Sequence, residues 1–462
     1  MLYKENYKNK LFYLSILFIL FSIYFNFENY IGNKTLFLIF NLSALGLFLT
    51  IIRKNVSAFE FFFAFFLLLS FWFKFSCILY FDKIKVVEGN FDLDISNYDK
   101  STIVIIFSFI GFIIGSFLRE LISNTFLNNK NFKARSYFLS FYKKYRSNIL
   151  FLFIFSLFIF CMINFYYKIY NRGQVNENVP ILVKYFFSWA FTYGLAVTTS
   201  ILIYVDFFIF KNKKYFFLGI FEAVLSNISI FSRGFLISIF AYLRGFFFLI
   251  NFKKKKISTI SIFKIIFSTA ILLSLAFYTV TQLRNLNFVK TEFYQPKSIE
   301  TTASELLSLS VNRWVGIDAL LSVSQNENIS FEFFKSSLSE KKQFRKGSFY
   351  IDNFYQNFEN TEKENFNVVI TPGLIPFLYY TGSVIFVFIS MIIIIIFCSL
   401  IEKIFFLFSA KNEILINVIG YAMAVRVTHF GYLPYNTFNY LLSLLITLFI
   451  VYILSLVIWK KF

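Results

Sequence analysis

Acidic residues, cysteine, proline and histidine are all scarce in this chain, and each scarcity excludes something. The three cysteines among 462 residues, Cys77, Cys161 and Cys398, lie far apart inside apolar runs. They supply neither a disulfide framework nor a metal cluster, and buried packing is their expected role. The five prolines, Pro180, Pro296, Pro372, Pro376 and Pro434, all fall near the outward ends of expected spans or in an outer loop, where helix starts and turns accept them. His429 is the single histidine. A Walker phosphate loop, a GxGxxG after a strand, an HExxH and a GxSxG are all missing, so the common signatures of nucleotide, zinc-protease and serine-hydrolase chemistry are absent. No internal repeat of the inverted-repeat transporter kind is visible either.

Apolar surface is abundant instead. Hydrophobic residues make up 58% of the chain, with 73 phenylalanines. A water-soluble protein of this length has no way to bury so much, whereas a lipid-facing one need not. Runs long enough to cross a hydrocarbon layer of ~30 Å as helices recur at 11–28, 35–52, 58–80, 101–118, 149–168, 181–208, 215–231, 235–251, 259–281, 371–398, 412–430 and 438–458. The expected fold is therefore an all-α polytopic membrane protein with about twelve transmembrane helices.

The net charge of +20 is distributed as a membrane protein distributes it, not as a nucleic-acid binder does. Arg53 and Lys54, the stretch from Arg119 to Arg146, Lys211 to Lys214, Lys253 to Lys256, and Lys460 with Lys461 all fall on one side of the expected spans. The positive-inside rule makes that side the cytoplasm, with both termini there. The first span lacks a small-x-small cleavage site and reads as a retained helix. On the outer side, residues 82–100 carry Asp82, Glu88, Asp92, Asp94 and Asp99. Asp92 and Asp94 form an Asp-x-Asp pair able to hold a divalent metal beside a diphosphate, although such pairs are common in acidic loops.

The chain thus divides into nine helices over 1–281, a large outward loop over 282–370, and three helices over 371–462. Within the loop, apolar residues recur at three and four apart over about 300–323, which predicts an amphipathic helix lying on the outer membrane surface or over a cavity. It carries Arg313, Trp314 and Asp318; in the simplest reading its charges are solvated.

Arginine collects at the predicted outward boundary against the positive-inside bias: Arg172, Arg233, Arg284, Arg313 and Arg426. A guanidinium is a fixed planar fork that grips phosphate or carboxylate at two points. Snorkelling to headgroups or capping a helix end would explain any one of them, but less easily all of them together. His429 lies three residues after Arg426, on the same helical face and near Tyr432 and Tyr435. A neutral imidazole there can take a proton from a hydroxyl, although a lone histidine more often only packs.

Architecture and local stretches together resemble the Wzy-type O-antigen (oligosaccharide repeat-unit) polymerases. The stretches are YNRGQ at 170–174, SRGF at 232–235, NRWVGIDALLSV at 312–323 and TPGLIPFLYYTGS at 371–383. The Arg-x10-Gly loop motif of some members is not present at any arginine. The resemblance implies a GT-C-like fold in a bacterial cytoplasmic membrane. It implies en bloc transfer of a growing glycan from undecaprenyl pyrophosphate onto a single lipid-linked repeat unit, inverting, with no metal and no cofactor. Arg172, Arg233, Arg284, Arg313 and Arg426 would contact pyrophosphate and acidic glycan groups, Trp314 and Tyr432 the sugars, and His429 or Asp318 would act as base. Partners would be undecaprenyl-pyrophosphate-linked glycans, membrane lipids, a chain-length regulator and a flippase, with no nucleic acid. An O-antigen ligase, a lipid-linked-oligosaccharide flippase or transporter, and a scaffold of a glycan-assembly complex are the alternatives.

Overall fold

The computed structural model describes residues 2–53, 55–80, 95–124, 132–170, 179–211, 214–232, 235–252, 274–275, 278–283, 311, 314–339, 349–354, 372–429 and 434–461. These residues are mostly helical. Seven of their helices are long and apolar enough to cross a membrane: Lys34–Ile52, Ala58–Tyr80, Asn97–Ile122, Ser136–Tyr167, Ile181–Phe210, Val384–Phe408 and Asn439–Ile458. Three shorter apolar helices, Ser15–Asn26, Phe217–Ser229 and Ser238–Leu249, lie in three further expected spans. The helix Glu413–Thr428 lies in another. Most of the expected span 259–281 falls outside the described residues.

The spans wear their apolar residues outward. On Val384–Phe408, Ile385, Ile389, Ile393 and Phe397 are exposed at four-residue intervals, while Val387, Met391 and Ile395 on the opposite face are buried. Both faces are apolar, which suits a helix with lipid on one side and protein on the other and fits a multi-pass membrane protein.

Several boundaries differ from the sequence reading. The expected span 371–398 is two helices, Leu374–Tyr379 and Val384–Phe408. The break falls at Gly382, whose φ of +70° favours glycine. The helix Ile95–Asn124 starts earlier and ends later than the expected span 101–118. It thereby takes in Asp99 and Arg119, which hydropathy alone assigns to loops. The Asp99 carboxylate accepts from the Asn33 amide at 2.9 Å and from the Tyr30 hydroxyl at 2.9 Å, tying this helix to the turn before Lys34–Ile52. The neighbouring Asp92 and Asp94 lie outside the described residues.

The chain forms two compact units. The first comprises Met1–Leu127, Leu307–Glu402 and Met423–Leu441. Its packing rests on small residues and on buried charges that satisfy one another. Gly111 and Gly115, a Gly-x-x-x-Gly pair, let their helix press onto Val384–Phe408. A Cβ added at Gly111 would lie 2.7 Å from the Phe388 carbonyl oxygen, and one at Gly115 would lie 3.0 Å from Ile392 Cα. At the start of Ala58–Tyr80, Ser57 and Glu60 form a capping box. The Glu402 carboxylate accepts from the Ala58 amide at 2.8 Å and from the Phe59 amide at 2.5 Å, a negative charge at the positive end of a helix. Arg119 closes on Glu60 through Nε at 2.8 Å and a second guanidinium contact.

The second unit comprises Asn128–Leu306, Lys403–Ala422 and Leu442–Phe462. The buried Asp206 is held by Arg146 Nε at 2.6 Å and Nη2 at 3.0 Å, and Arg244 donates to the Asn417 side-chain oxygen. The strands Phe132–Ala134 and Trp459–Lys461 form a two-stranded antiparallel sheet.

Gly111→Ala should therefore lower stability more than Gly46→Ala. The new methyl at 111 meets fixed backbone, whereas at 46 it lies 2.9 Å from Ile113 Cδ1, the movable end of a side chain. Overpacking of this kind costs about 1–3 kcal/mol. Thermal unfolding of both variants in one detergent checks this, and equal losses would refute it.

Candidate functional site

The candidate site lies in the first unit and begins with an irregularity. Ala58–Tyr80 is α-helical to Leu67, π-helical over Leu68–Phe73 and α-helical again from Lys74. A π turn inserts an extra residue and re-aims the side chains beyond it, and such turns recur at functional positions. Lys74 emerges at the end of this one with its side chain 0% exposed, and the side chain of Asp318 is equally buried. The Lys74 ammonium lies 2.8 Å from Asp318 Oδ2 and donates to the Trp314 carbonyl oxygen at 3.0 Å.

Asp318 is the second residue of the helix Ile317–Gln325, whose residues from Ile317 to Ser324 are all buried. This part of the expected amphipathic helix is thus inserted into the protein, and its acid is paired rather than solvated. Gly316 precedes the helix with φ of +150°. A Cβ there would lie 2.6 Å from the tip of the Phe71 ring, so both conformation and space call for glycine. The π turn presents Phe71 under Gly316 and Lys74 beside Asp318. Further along, Ser324 Oγ meets Ser101 Oγ at 2.8 Å.

Two more segments arrive at the same place. Gly373, with φ of +84°, opens the buried helix Leu374–Tyr379. A Cβ added to it would lie 3.2 Å from the Thr428 carbonyl oxygen, 3.2 Å from Val315 Cγ1 and 3.7 Å from Gly316 Cα. Val315 and Gly316, Gly373, and the end of Glu413–Thr428 therefore come close together. Behind them Tyr380 stacks on Phe354 at 5.4 Å and packs edge-on against Phe333 at 5.5 Å.

His429 comes directly after Thr428 and is exposed. Its Nδ1 lies 2.7 Å from the Val425 carbonyl oxygen. A carbonyl only accepts, so Nδ1 carries the proton in the neutral ring, and Nε2 is the nitrogen able to take another. One turn earlier, the Arg426 guanidinium lies 3.5 Å over the Tyr440 ring. Arg426 is also in the last turn of its helix, where the negative helix end favours a cation.

Four of the residues singled out from sequence, Trp314, Asp318, Arg426 and His429, are thus on segments that meet. Arg172, Arg233, Arg284, Arg313 and Tyr432 lie outside the described residues. Sequence reasoning missed the partnership of Lys74 with Asp318 and the roles of Gly316 and Gly373. The signal available was Lys74 itself, a cation in an apolar run that needs an acid. Compared with family models, curated proteins and solved structures, the chain finds no match.

Removing one member of the buried pair leaves a buried charge without its counter-ion. Lys74→Met should cost about 3–5 kcal/mol, and Lys74→Met with Asp318→Leu should regain most of it. Denaturant unfolding of both single variants and the double variant measures the coupling. Additive losses would show that the pair is not coupled.

Proposed function

We propose that this protein polymerises undecaprenyl-pyrophosphate-linked oligosaccharide repeat units at the outer face of a bacterial cytoplasmic membrane, within a GT-C-like bundle of about twelve spans whose termini are cytoplasmic. The observation that carries this reading is the meeting at Gly373 of 314–318, 372–374 and 426–429, since the first two lie in stretches that resemble the polymerase family. Each of the first and last brings groups suited to a lipid-linked glycan.

In the proposed reaction, a hydroxyl oxygen of the acceptor repeat unit attacks the anomeric carbon of the donor glycan. The new glycosidic bond forms as the bond to pyrophosphate breaks, and undecaprenyl pyrophosphate departs. The hydroxyl proton passes to His429 Nε2. Arg426 offsets the charge growing on the leaving pyrophosphate, and Arg172, Arg233, Arg284 and Arg313 stay candidates from the sequence for pyrophosphate and acidic glycan contacts. Trp314 offers a face to a sugar, and Tyr432 stays a candidate sugar contact from the sequence. Asp318, already bonded to Lys74, anchors the Trp314 turn rather than taking the proton. A flippase would deliver the substrate and a chain-length regulator would limit the product.

A second reading, transport of the lipid-linked oligosaccharide, draws on the buried ion pairs Lys74–Asp318 and Glu60–Arg119, because intramembrane charges often line transport paths. Reconstitution separates the two. Purified protein in lipid vesicles, supplied with its host's undecaprenyl-pyrophosphate repeat unit, should give a ladder of chain lengths on a gel. Loss of a general base typically costs about 10²–10⁴-fold in rate, so His429→Gln should cut ladder formation by that order. Movement of the unit across the bilayer without a ladder would make the protein a transporter. A single transfer onto lipid A-core would make it a ligase.

A further inference from the structure

The second unit carries a feature that the proposed reaction does not use. The strand Phe132–Ala134 directly precedes the helix Ser136–Tyr167, and Trp459–Lys461 directly follows the helix ending at Ile458. The two-stranded sheet therefore caps the ends of two apolar spans, the level at which hydrocarbon gives way to headgroups. Its register places Lys133 opposite Lys460.

Next to this pair opens a cavity of about 200 Å³. Arg135 and Lys460 stand on its basic side, and Leu407, Phe408, Tyr452 and Trp459 are among the residues of its apolar wall. Arg135 is held in place: its Nε donates to the Trp459 carbonyl oxygen at 3.4 Å, and its amide donates to the Ile458 carbonyl oxygen at 3.0 Å. Trp459 packs edge-on against Phe208 at 4.9 Å, so the wall is built from within the unit.

The helix Ser136–Tyr167 begins with the character of an interfacial segment. Tyr137, Phe141 and Tyr145 are exposed at four-residue intervals, with Lys143 and Lys144 exposed beside them. At Tyr145 the backbone leaves helical geometry (φ −111°, ψ 16°), and the long apolar run begins just beyond it. A basic, aromatic first section joined by a kink to an apolar span suits a chain that runs along the headgroup layer before entering the hydrocarbon.

We propose that this cavity binds an anionic phospholipid, with the headgroup phosphate between Arg135 and Lys460 and the start of an acyl chain along Leu407, Phe408 and Tyr452. The apolar wall distinguishes this occupant from a free anion, and the two cations distinguish it from a zwitterionic lipid. The site stands independently of the polymerase reading.

Native mass spectrometry of the detergent-purified full chain tests it. Phosphatidylglycerol should bind at least about tenfold more tightly than phosphatidylcholine of the same chains. Arg135→Gln and Lys460→Gln should each reduce that preference by about fivefold. Equal affinity of the unaltered protein for the two lipids would overturn the proposal without any variant. Undiminished preference in the double variant would place the lipid elsewhere and overturn it too. Displacement of phosphatidylglycerol by equimolar glycerol 3-phosphate would mark a site for free anions rather than for a lipid.

Discussion

The buried contact between Lys74 and Asp318 constrains the first unit. Removing an ammonium and a carboxylate from water costs several kcal/mol each, and only a close partner offsets it. Because both are fully buried, neither tolerates withdrawal of the other, and the segment carrying Asp318 is held against the span carrying Lys74. Docking of that segment seats Gly316 on Phe71, and Gly316 and Val315 then form the surface that Gly373 approaches. Gly373 and the end of Glu413–Thr428 complete the cluster. A buried pair is weak evidence for stability, since an apolar pair of the same volume often does as well. Its contribution here is specificity: one register of the 314–325 segment satisfies both charges, and a slip of one residue satisfies neither.

The other buried charges of each unit obey the same logic with different partners. Glu60 takes an arginine and a capping amide. Glu402 takes the amides of a helix N-terminus. Asp206 takes a two-point arginine and the Tyr142 hydroxyl. In a bundle whose outer surface is apolar, such contacts decide which helices are neighbours, because apolar side chains alone distinguish poorly between one lipid-facing helix and another. The glycines supply the remaining selectivity. Gly111 admits the Val384–Phe408 backbone at a distance that a side chain would forbid, and Gly115 admits it at one that a side chain would crowd.

Helical spans were legible in the sequence because length and hydropathy alone license them, and each of the seven long helices overlaps an expected segment, although Ser136–Tyr167, Asn97–Ile122 and Val384–Phe408 run beyond the expected bounds. What hydropathy does not carry is the identity of the partner. Arg119 and Asp99 read as loop charges because each sits near the end of an apolar run, yet both belong inside the helix Ile95–Asn124, where Glu60 and the Tyr30 turn satisfy them. The break at 380–383 was hidden for a related reason: one glycine at positive φ weighs little in a sum over apolar neighbours. In the candidate site, Asp318 and His429 stood out by chemical type. Their neighbours Gly316 and Gly373 did not, since the reason for a glycine is the atom pressed against it.

The position of His429 bears on how the proposed transfer divides its charges. The Lys74–Asp318 pair is neutral as a whole and lends no net field to a departing pyrophosphate, so that field must come from arginines. The end of Glu413–Thr428 is a negative helix terminus. It disfavours a bare anion beside it, and Arg426 in the last turn offsets that locally. It favours a positive charge, and an imidazole that accepts a hydroxyl proton becomes one. The Nδ1 contact to the Val425 carbonyl persists in the imidazolium, because Nδ1 is a donor in both forms. Proton uptake at Nε2 therefore breaks no existing contact of Nδ1 and creates its charge where the helix end stabilises it. A carboxylate at the same point would face the opposite field, and this separates the role proposed for His429 from the anchoring role of Asp318.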